Sequence, residues 1–511
     1  MSTNICKWHI IIMFYSVIYL GCKNKTADVN PPSSDFKYTE QHRPQFHFSP
    51  DSMWMNDPNG MVYHDGEYHL FYQYYPDSIV WGPMHWGHAI SRDLVHWQHL
   101  PVALYPDSLG YIFSGSAIMD KGNTSGLGKD GKDPMIAVFT HHNMDGEKSG
   151  SNDFQYQSLA YSNDNGRTFT KYKGNPVIKN PGIKDFRDPK VIWHEQSKHW
   201  IMVFAAYDKA LLYTSPNLID WTYASEFGII GDKRLWECPD LFPINVEGSN
   251  EQKWVLITSI QQKAPNGGTA TSYFVGDFDG KAFKADPNNQ KWLDYGKDNY
   301  AFVTWSNVTD GRILGLGWMS NWQYAQQVPT KKWRSAMTLP REIKLIKNGE
   351  DYTLSSSPAR ELTSLESSAI KMETITNKDN SFISKISPTS KLELSFKKPS
   401  SGLTKIRFSN SHGEFLDVGY DAGTSTYFID RTNAGKSDFN KDFAGKHFGQ
   451  TGYEHKTIEM LIYLDHSSIE LFADNGQCVM TEIFFPTQPF DNIEIIGDML
   501  SGKIAKINSI W

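Results

Sequence analysis

The chain has 511 residues, a length that points to two or three domains rather than one. Acidic residues outnumber basic ones by 57 to 50, and the net charge of −7 argues against nucleic-acid binding through a basic face. Aromatic residues make up 14% of the chain, with 16 Trp and 25 Tyr, and such flat amphipathic rings suit sugar faces as well as β-sheet cores.

The N-terminus reads as a targeting signal over residues 1–22. Lys7 and His9 precede the apolar run from Ile10 to Leu20, which only Ser16 interrupts. That run is too short to cross a bilayer as a mature helix and fits the core of a signal peptide. It ends in Tyr19-Leu20-Gly21-Cys22, similar to a bacterial lipoprotein signal in which Cys22 carries the lipid. Leu20 is larger than the usual residue there, and a plain signal peptide is the alternative. Residues 23–40, polar at first and containing Pro31 and Pro32, read as a tether. The expectation is an exported protein, attached to a bacterial membrane only through Cys22 or else secreted. Cys238 and Cys478, far apart in sequence, are expected to be unbridged.

Residues 41–354 carry short β-rich runs separated by turn residues. Examples are Glu67 to Gln73, Met135 to Phe139, Trp200 to Phe204 and Trp254 to Thr258. The spacing predicts an all-β sandwich, barrel or propeller. A weak repeat favours the propeller. Ser91-Arg92-Asp93-Leu94-Val95-His96-Trp97 echoes Ser215-Pro216-Asn217-Leu218-Ile219-Asp220-Trp221, and Ser162 to Phe169 is a looser copy. Each follows a β-rich run, as the outer hairpin of a four-stranded blade would. Residues 355–368 read as a linker. Residues 369–511 again alternate as strands, with a hairpin-type turn at Asp474-Asn475-Gly476, and read as a β-sandwich.

Three segments place an acid beside a proline: Trp54-Met55-Asn56-Asp57-Pro58-Asn59-Gly60, Phe186-Arg187-Asp188-Pro189-Lys190 and Leu235-Trp236-Glu237-Cys238-Pro239-Asp240. A residue before proline is pushed into an extended conformation. Each acid therefore plausibly opens the inner strand of a blade, and inner strands converge on a central channel. The competing reading is an ordinary Asx-type turn at strand entry. Converging carboxylates beside aromatic rings are what glycoside cleavage needs: one ionised, one protonated. Trp236 is expected to desolvate Glu237 and raise its pKa, while amide donors around Asp57 favour its charged form.

The motifs at 54–60, 113–116 (Phe-Ser-Gly-Ser), 187–190 and 236–241 resemble those of glycoside hydrolase family 32, the invertases, levanases and inulinases. Trp81 to Ala89 and Trp318 to Trp322 add to the resemblance. It implies a five-bladed propeller followed by a β-sandwich. It also implies Asp57 as nucleophile, Glu237 as general acid and base, and Asp188 as stabiliser of the oxocarbenium-like transition state. Asn56, Gln73, Ser114 and Arg187 would bind fructosyl hydroxyls, with Trp81 and Phe113 as pocket walls. Trp322 is a further wall, with Trp318 as its alternative. The substrate implied is a fructan (levan or inulin) or sucrose, with no cofactor. A fructosyltransferase on the same site and a non-catalytic sugar-binding propeller are the alternatives. His85 and His88 fall on opposite faces of a strand, and neither they nor His141-His142 form a metal motif.

Overall fold

The computed structural model of the protein describes Met1 and residues 38–367, 369–372, 381–450 and 456–511. The expected signal peptide beyond Met1, the lipidation site at Cys22, the tether up to residue 37 and Ser368 of the expected linker lie outside the described residues. Among the described residues the only helices are a single turn at Met144–Lys148 and a 3₁₀ turn at Arg360–Leu365.

Five antiparallel sheets follow one another from Met53 to Pro358. Their inner strands are Met53–His64, Tyr111–Met119, Phe186–His194, Trp236–Asn245 and Tyr300–Thr304. Each inner strand lies against the next, and the fifth returns to the first. Central strands such as Met135–His142 are buried at every residue, because each blade is covered on both faces by its neighbours. Outer strands such as Trp97–Leu104 are mostly half-exposed. Hydrophobic clusters fill the joints between blades. Ile136, Val138, Val191 and Met202 join the second to the third, Leu212, Leu241 and Leu256 the third to the fourth, and Ile257, Phe302 and Ile343 the fourth to the fifth. Leu70 and Tyr72 against Leu314 and Leu316 close the ring. A short parallel pairing of Trp333–Arg334 with Met53–Trp54 fastens the closure.

The sequence repeat is the turn joining the third strand of a blade to its fourth. The Asp93 carboxylate accepts from the backbone N–H of Val95 and His96, and the Asn217 side-chain oxygen does the same for Ile219 and Asp220. Leu94 and Leu218 both sit at left-handed φ, 64° and 66°. Asp279 caps Lys281 and Ala282 in the fourth blade in the same way, a copy the sequence comparison passes over because no tryptophan follows it.

Two six-stranded sheets pack face to face beyond residue 369. Leu392, Leu394 and Ile462 from one meet Ile406, Val418 and Ile493 from the other. The all-β architecture expected from sequence, a five-bladed propeller followed by a β-sandwich, is the one observed. Cys238 and Cys478 are free and buried. The outer strand of the fifth blade runs to Pro358, four residues into the stretch expected as a linker, because Asp351–Pro358 pairs along its whole length with Arg341–Asn348. The 3₁₀ turn that follows buries Leu362 and Leu365 against Phe46 and Tyr463.

Buried charge joins the two halves. Arg341 donates to Asp294 at 2.9 Å and to Glu470 at 2.6 Å, and Arg431 donates to Asp298 at 2.5 Å and to the Tyr324 hydroxyl at 2.8 Å. The Gly296 backbone lies so close to Thr481 that a Cβ would stand 2.1 Å from its nitrogen. His47 reaches Asp465 through Nδ1 at 2.8 Å and Glu470 through Nε2 at 3.0 Å. Burial alone would discharge this imidazole, but the two carboxylates outweigh it and raise its pKa from 6.5 to about 9. A raised folded-state pKa contributes stability that is complete below pH 6.5 and lost as pH climbs through about 9. The contribution is on the order of 3 kcal/mol. His47→Gln is therefore expected to melt several degrees below the wild type at pH 6, with the two curves converging above pH 9. Calorimetry across that range checks it; a constant difference at all pH values would refute the charged imidazole.

Candidate active site

All five inner strands break register toward the same end of the ring. The breaks fall between Met55 and Pro58, between Ile112 and Gly115, at Asp188-Pro189, between Glu237 and Asp240, and between Tyr300 and Val303. In three of them a proline removes the N–H that the ladder needs. A bulge bends its strand and re-aims a side chain. The backbone is strained accordingly, with Asp188, Cys238 and Ala301 at φ of 66°, 45° and 53°.

The bulges open into one cavity of about 420 Å³. Asn56, Asp57, Gln73, Trp81, Phe113, Ser114, Arg187, Asp188, Glu237 and Trp322, every residue singled out from sequence, line it. Asp57 is nearly buried; its Oδ2 accepts from Ser114 Oγ at 2.7 Å, while its Oδ1 has no hydrogen-bond partner. Asp188 Oδ2 accepts from the Cys238 backbone N–H at 3.0 Å. The Cys238 thiol stands 3.6 Å from both Asp57 Oδ2 and Asp188 Oδ2. Arg187 grips Glu237 Oε1 through Nη2 at 2.8 Å and Nε at 3.2 Å, and its Nη1 is anchored on Asp185 at 2.7 Å. The Tyr300 hydroxyl donates to the other oxygen of Glu237.

The remaining wall residues are held from behind. Asn56 accepts from Trp54 Nε1 at 2.7 Å, and Gln73 donates to the Ile112 carbonyl at 3.0 Å. Phe113 stacks on His142 at 4.1 Å and meets Trp81 edge-on at 6.1 Å. Trp322 lines the cavity, with the fully buried Trp318 behind it at 4.8 Å.

Burial, followed by the negative charge of Glu237, raises the Asp57 pKa; hydrogen bonds from Ser114 and Asn56 oppose this without reversing it. The amide surroundings expected to keep this acid ionised are thus outweighed by desolvation. Burial also dominates at Asp188, where Arg187 works against it and the other two carboxylates add to it, and the pKa rises to about 7. Burial and the neighbouring carboxylates push the Cys238 thiol and the Tyr300 hydroxyl far up, so both remain neutral donors.

Trp236 does not desolvate Glu237 as expected. Successive side chains on a strand point to opposite faces. The Trp236 indole lies in the joint between the third and fourth blades, stacked with Phe274 at 5.8 Å. Glu237 is instead wrapped by Arg187 and Tyr300. Tyr300, Asp185 and Cys238 are functional neighbours that sequence reasoning missed. Asp185 and Cys238 flank the acid motifs and were within reach of a closer reading, whereas nothing local marks Tyr300.

Comparison with known proteins follows the same lines. The glycosyl hydrolases family 32 N-terminal domain matches residues 47–358, and the family's C-terminal domain matches residues 361–510. A levanase of Bacillus subtilis is 46% identical over 98% of this chain and 75% of its own length. An extracellular exo-inulinase of Aspergillus awamori is 39% identical over 93% of this chain and 96% of its own. The crystal structure of an exo-inulinase from that fungus superposes with a TM-score of 0.86 at 36% identity, covering 93% of this chain and all (100%) of the other. A β-fructofuranosidase of Schwanniomyces occidentalis, complexed with fructosyl-erythritol, superposes at 0.84 with 33% identity, covering 92% and 99%. Matched along both its domains, the chain belongs to glycosyl hydrolase family 32.

Proposed function

We propose that this protein is an exported β-fructosidase that releases terminal β-D-fructofuranosyl units from levan- or inulin-type fructans and from sucrose, with retention at the anomeric carbon. One observation carries the reading: Asp57, Asp188 and Glu237, from three separate inner strands, meet in a single cavity walled by Trp81, Phe113 and Trp322. Asp57 lines the cavity with one carboxylate oxygen anchored by Ser114, which fixes the group for attack as a nucleophile. Glu237 is held at both oxygens by donors that set its orientation. The relatives named levanase and extracellular exo-inulinase support the substrate class and the export, and an invertase of Schizosaccharomyces pombe, 33% identical, supports sucrose.

In the first step the Asp57 carboxylate attacks C2 of the fructosyl unit. The bond from C2 to the glycosidic oxygen breaks, and Glu237 gives that oxygen its proton. Asp188 hydrogen-bonds ring hydroxyls and stabilises the positive charge that develops at C2. In the second step Glu237 takes a proton from water, the water oxygen bonds to C2, and the Asp57 carboxylate departs. Asn56, Gln73 and Arg187 hold fructosyl hydroxyls, while Trp81, Phe113 and Trp322 wall the sugar. Ser114 also acts through Asp57, whose Oδ2 it anchors.

Asp57→Ala and Glu237→Ala are expected to lose at least about a thousandfold in kcat. Near-normal turnover by Asp57→Ala would end the nucleophile assignment. NMR of the first-formed fructose should show the β-anomer; an α-anomer appearing first would sink the double displacement. Incubation with levan, inulin and sucrose should yield free fructose. Oligosaccharide products would mean endo-cleavage, longer chains would mean transfer, and no products would mean a binder.

Asp188 also predicts a trade of stability for activity. Its folded-state pKa is raised from 3.8 to about 7, so the stability tied to its proton is complete below pH 3.8 and lost as pH passes about 7. Asp188→Asn should therefore melt higher than the wild type at pH 8, lose that advantage near pH 4, and be severely impaired in kcat. An unchanged or lower melting temperature at pH 8 would contradict the strained carboxylate.

A further inference from the structure

The central channel has a second mouth. The active-site cavity lies at the end of the ring where the inner strands begin. Where they end, a separate chamber of about 500 Å³ opens on the opposite face, larger than the active-site cavity. The two are divided by a buried floor. Lys190 Nζ donates there to Asp240 at 3.0 Å and to the Thr304 carbonyl at 2.7 Å, spanning three inner strands. Only a void of about 20 Å³ lies between, so the chamber is not a continuation of the catalytic pocket.

We propose that this chamber is a non-catalytic binding site for a segment of neutral fructan chain. The choice of ligand rests on the fructan reading above. The volume falls in the ~300–1,000 Å³ range of small-molecule sites. Trp193, Trp200 and Trp305 line the chamber, and of the three Trp193 is the one exposed enough to carry a sugar ring. Their nitrogens are tied to the protein, Trp193 to Glu195 at 2.6 Å, Trp200 to Thr124 at 2.8 Å and Trp305 to the His69 carbonyl at 2.9 Å, which holds each ring in place. Trp193 packs edge-on against Trp200 at 5.0 Å, yet 37% of it faces solvent. Ser306, also on the wall, has a buried hydroxyl without a hydrogen-bond partner. The charges favour an uncharged ligand. Lys190 is neutralised by Asp240 and Lys198 is paired with Glu195, so of the lysines on the wall only Lys121 remains for an anion. A polymer held here keeps its other chain ends at high local concentration near the enzyme.

The test is affinity electrophoresis through gels containing levan or inulin, in the Asp57→Ala background so that the polymer is not consumed. Adding Trp193→Ala is expected to weaken retardation by about tenfold in apparent Kd. Trp193→Ala alone should hydrolyse sucrose with wild-type kcat and KM, which also shows that it folds. Crystals of Asp57→Ala soaked in an inulin-type oligosaccharide should show sugar against Trp193. Equal retardation of the two proteins, or a chamber without sugar beside an occupied active site, would overturn the proposal. Fructose release by the wild type reports separately on the fructan reading, so the two can fail independently.

Discussion

Asp57, Asp188 and Glu237 crowd into one cavity with a single guanidinium, Arg187, and the rest of the structure works to make that tolerable. At an effective dielectric of about 20, two unit charges 4 Å apart repel by roughly 4 kcal/mol. Asp57 and Asp188 both face such repulsion, from Glu237 among others, together with the cost of burial. Arg187 relieves part of it by binding Glu237 and Asp185, and neutral donors relieve more. Ser114, the Cys238 thiol and amide, and the Tyr300 hydroxyl together reach all three acids. What remains unrelieved raises the pKa of Asp57 and Asp188.

The backbone carries a second part of the cost. A strand in regular alternation cannot deliver two consecutive functional side chains to one face, yet Arg187 and Asp188 both line the cavity. Breaking register solves this at the expense of left-handed residues, each worth roughly 1–2 kcal/mol. Close packing within each blade helps to hold these conformations. At Gly115, for example, a Cβ would stand 2.0 Å from the Val138 carbonyl, so the bulge that presents Phe113 and Ser114 is wedged against the next strand.

This explains what the sequence made legible. Proline after an acid marks a broken ladder, so the three acid motifs could be read as strand entries with side chains aimed inward. The outer turns were readable because one Asp or Asn carries the cap within a few residues. Tyr300 was not, since it meets Glu237 only after the ring closes, 63 residues along the chain. The Trp236 expectation failed because adjacency in a strand is the wrong neighbourhood: the next residue faces the other way. The end of the fifth blade was misjudged where serines at 355–357 mimic a linker, although they are paired along a strand and two of them, Ser355 and Ser356, are buried.

The sandwich is bound into the catalytic site more closely than its distance in sequence suggests. The segment from Asp294 to Asn299 docks on the strand Cys478–Ile483: the Tyr295 N–H donates to the Val479 carbonyl at 2.8 Å, and the carboxylates of Asp294 and Asp298 accept from the backbone N–H of Thr481 and Ile483, each at 2.9 Å. The next residue is Tyr300. Asp298 also accepts from Arg431 and, at 2.6 Å, from Tyr324, which lies two residues beyond the cavity-wall residue Trp322. The contacts that fasten the two domains therefore also fix the hydroxyl on Glu237 and the loop that carries Trp322. Removing Arg431 would leave the buried Asp298 carboxylate without its cation and Glu482 with His447 alone, a cost of about 3–5 kcal/mol. The strain would fall first on the segment that orients the acid. The second domain is thus an outer support of the active site, acting through one short stretch of chain between the fourth and fifth blades.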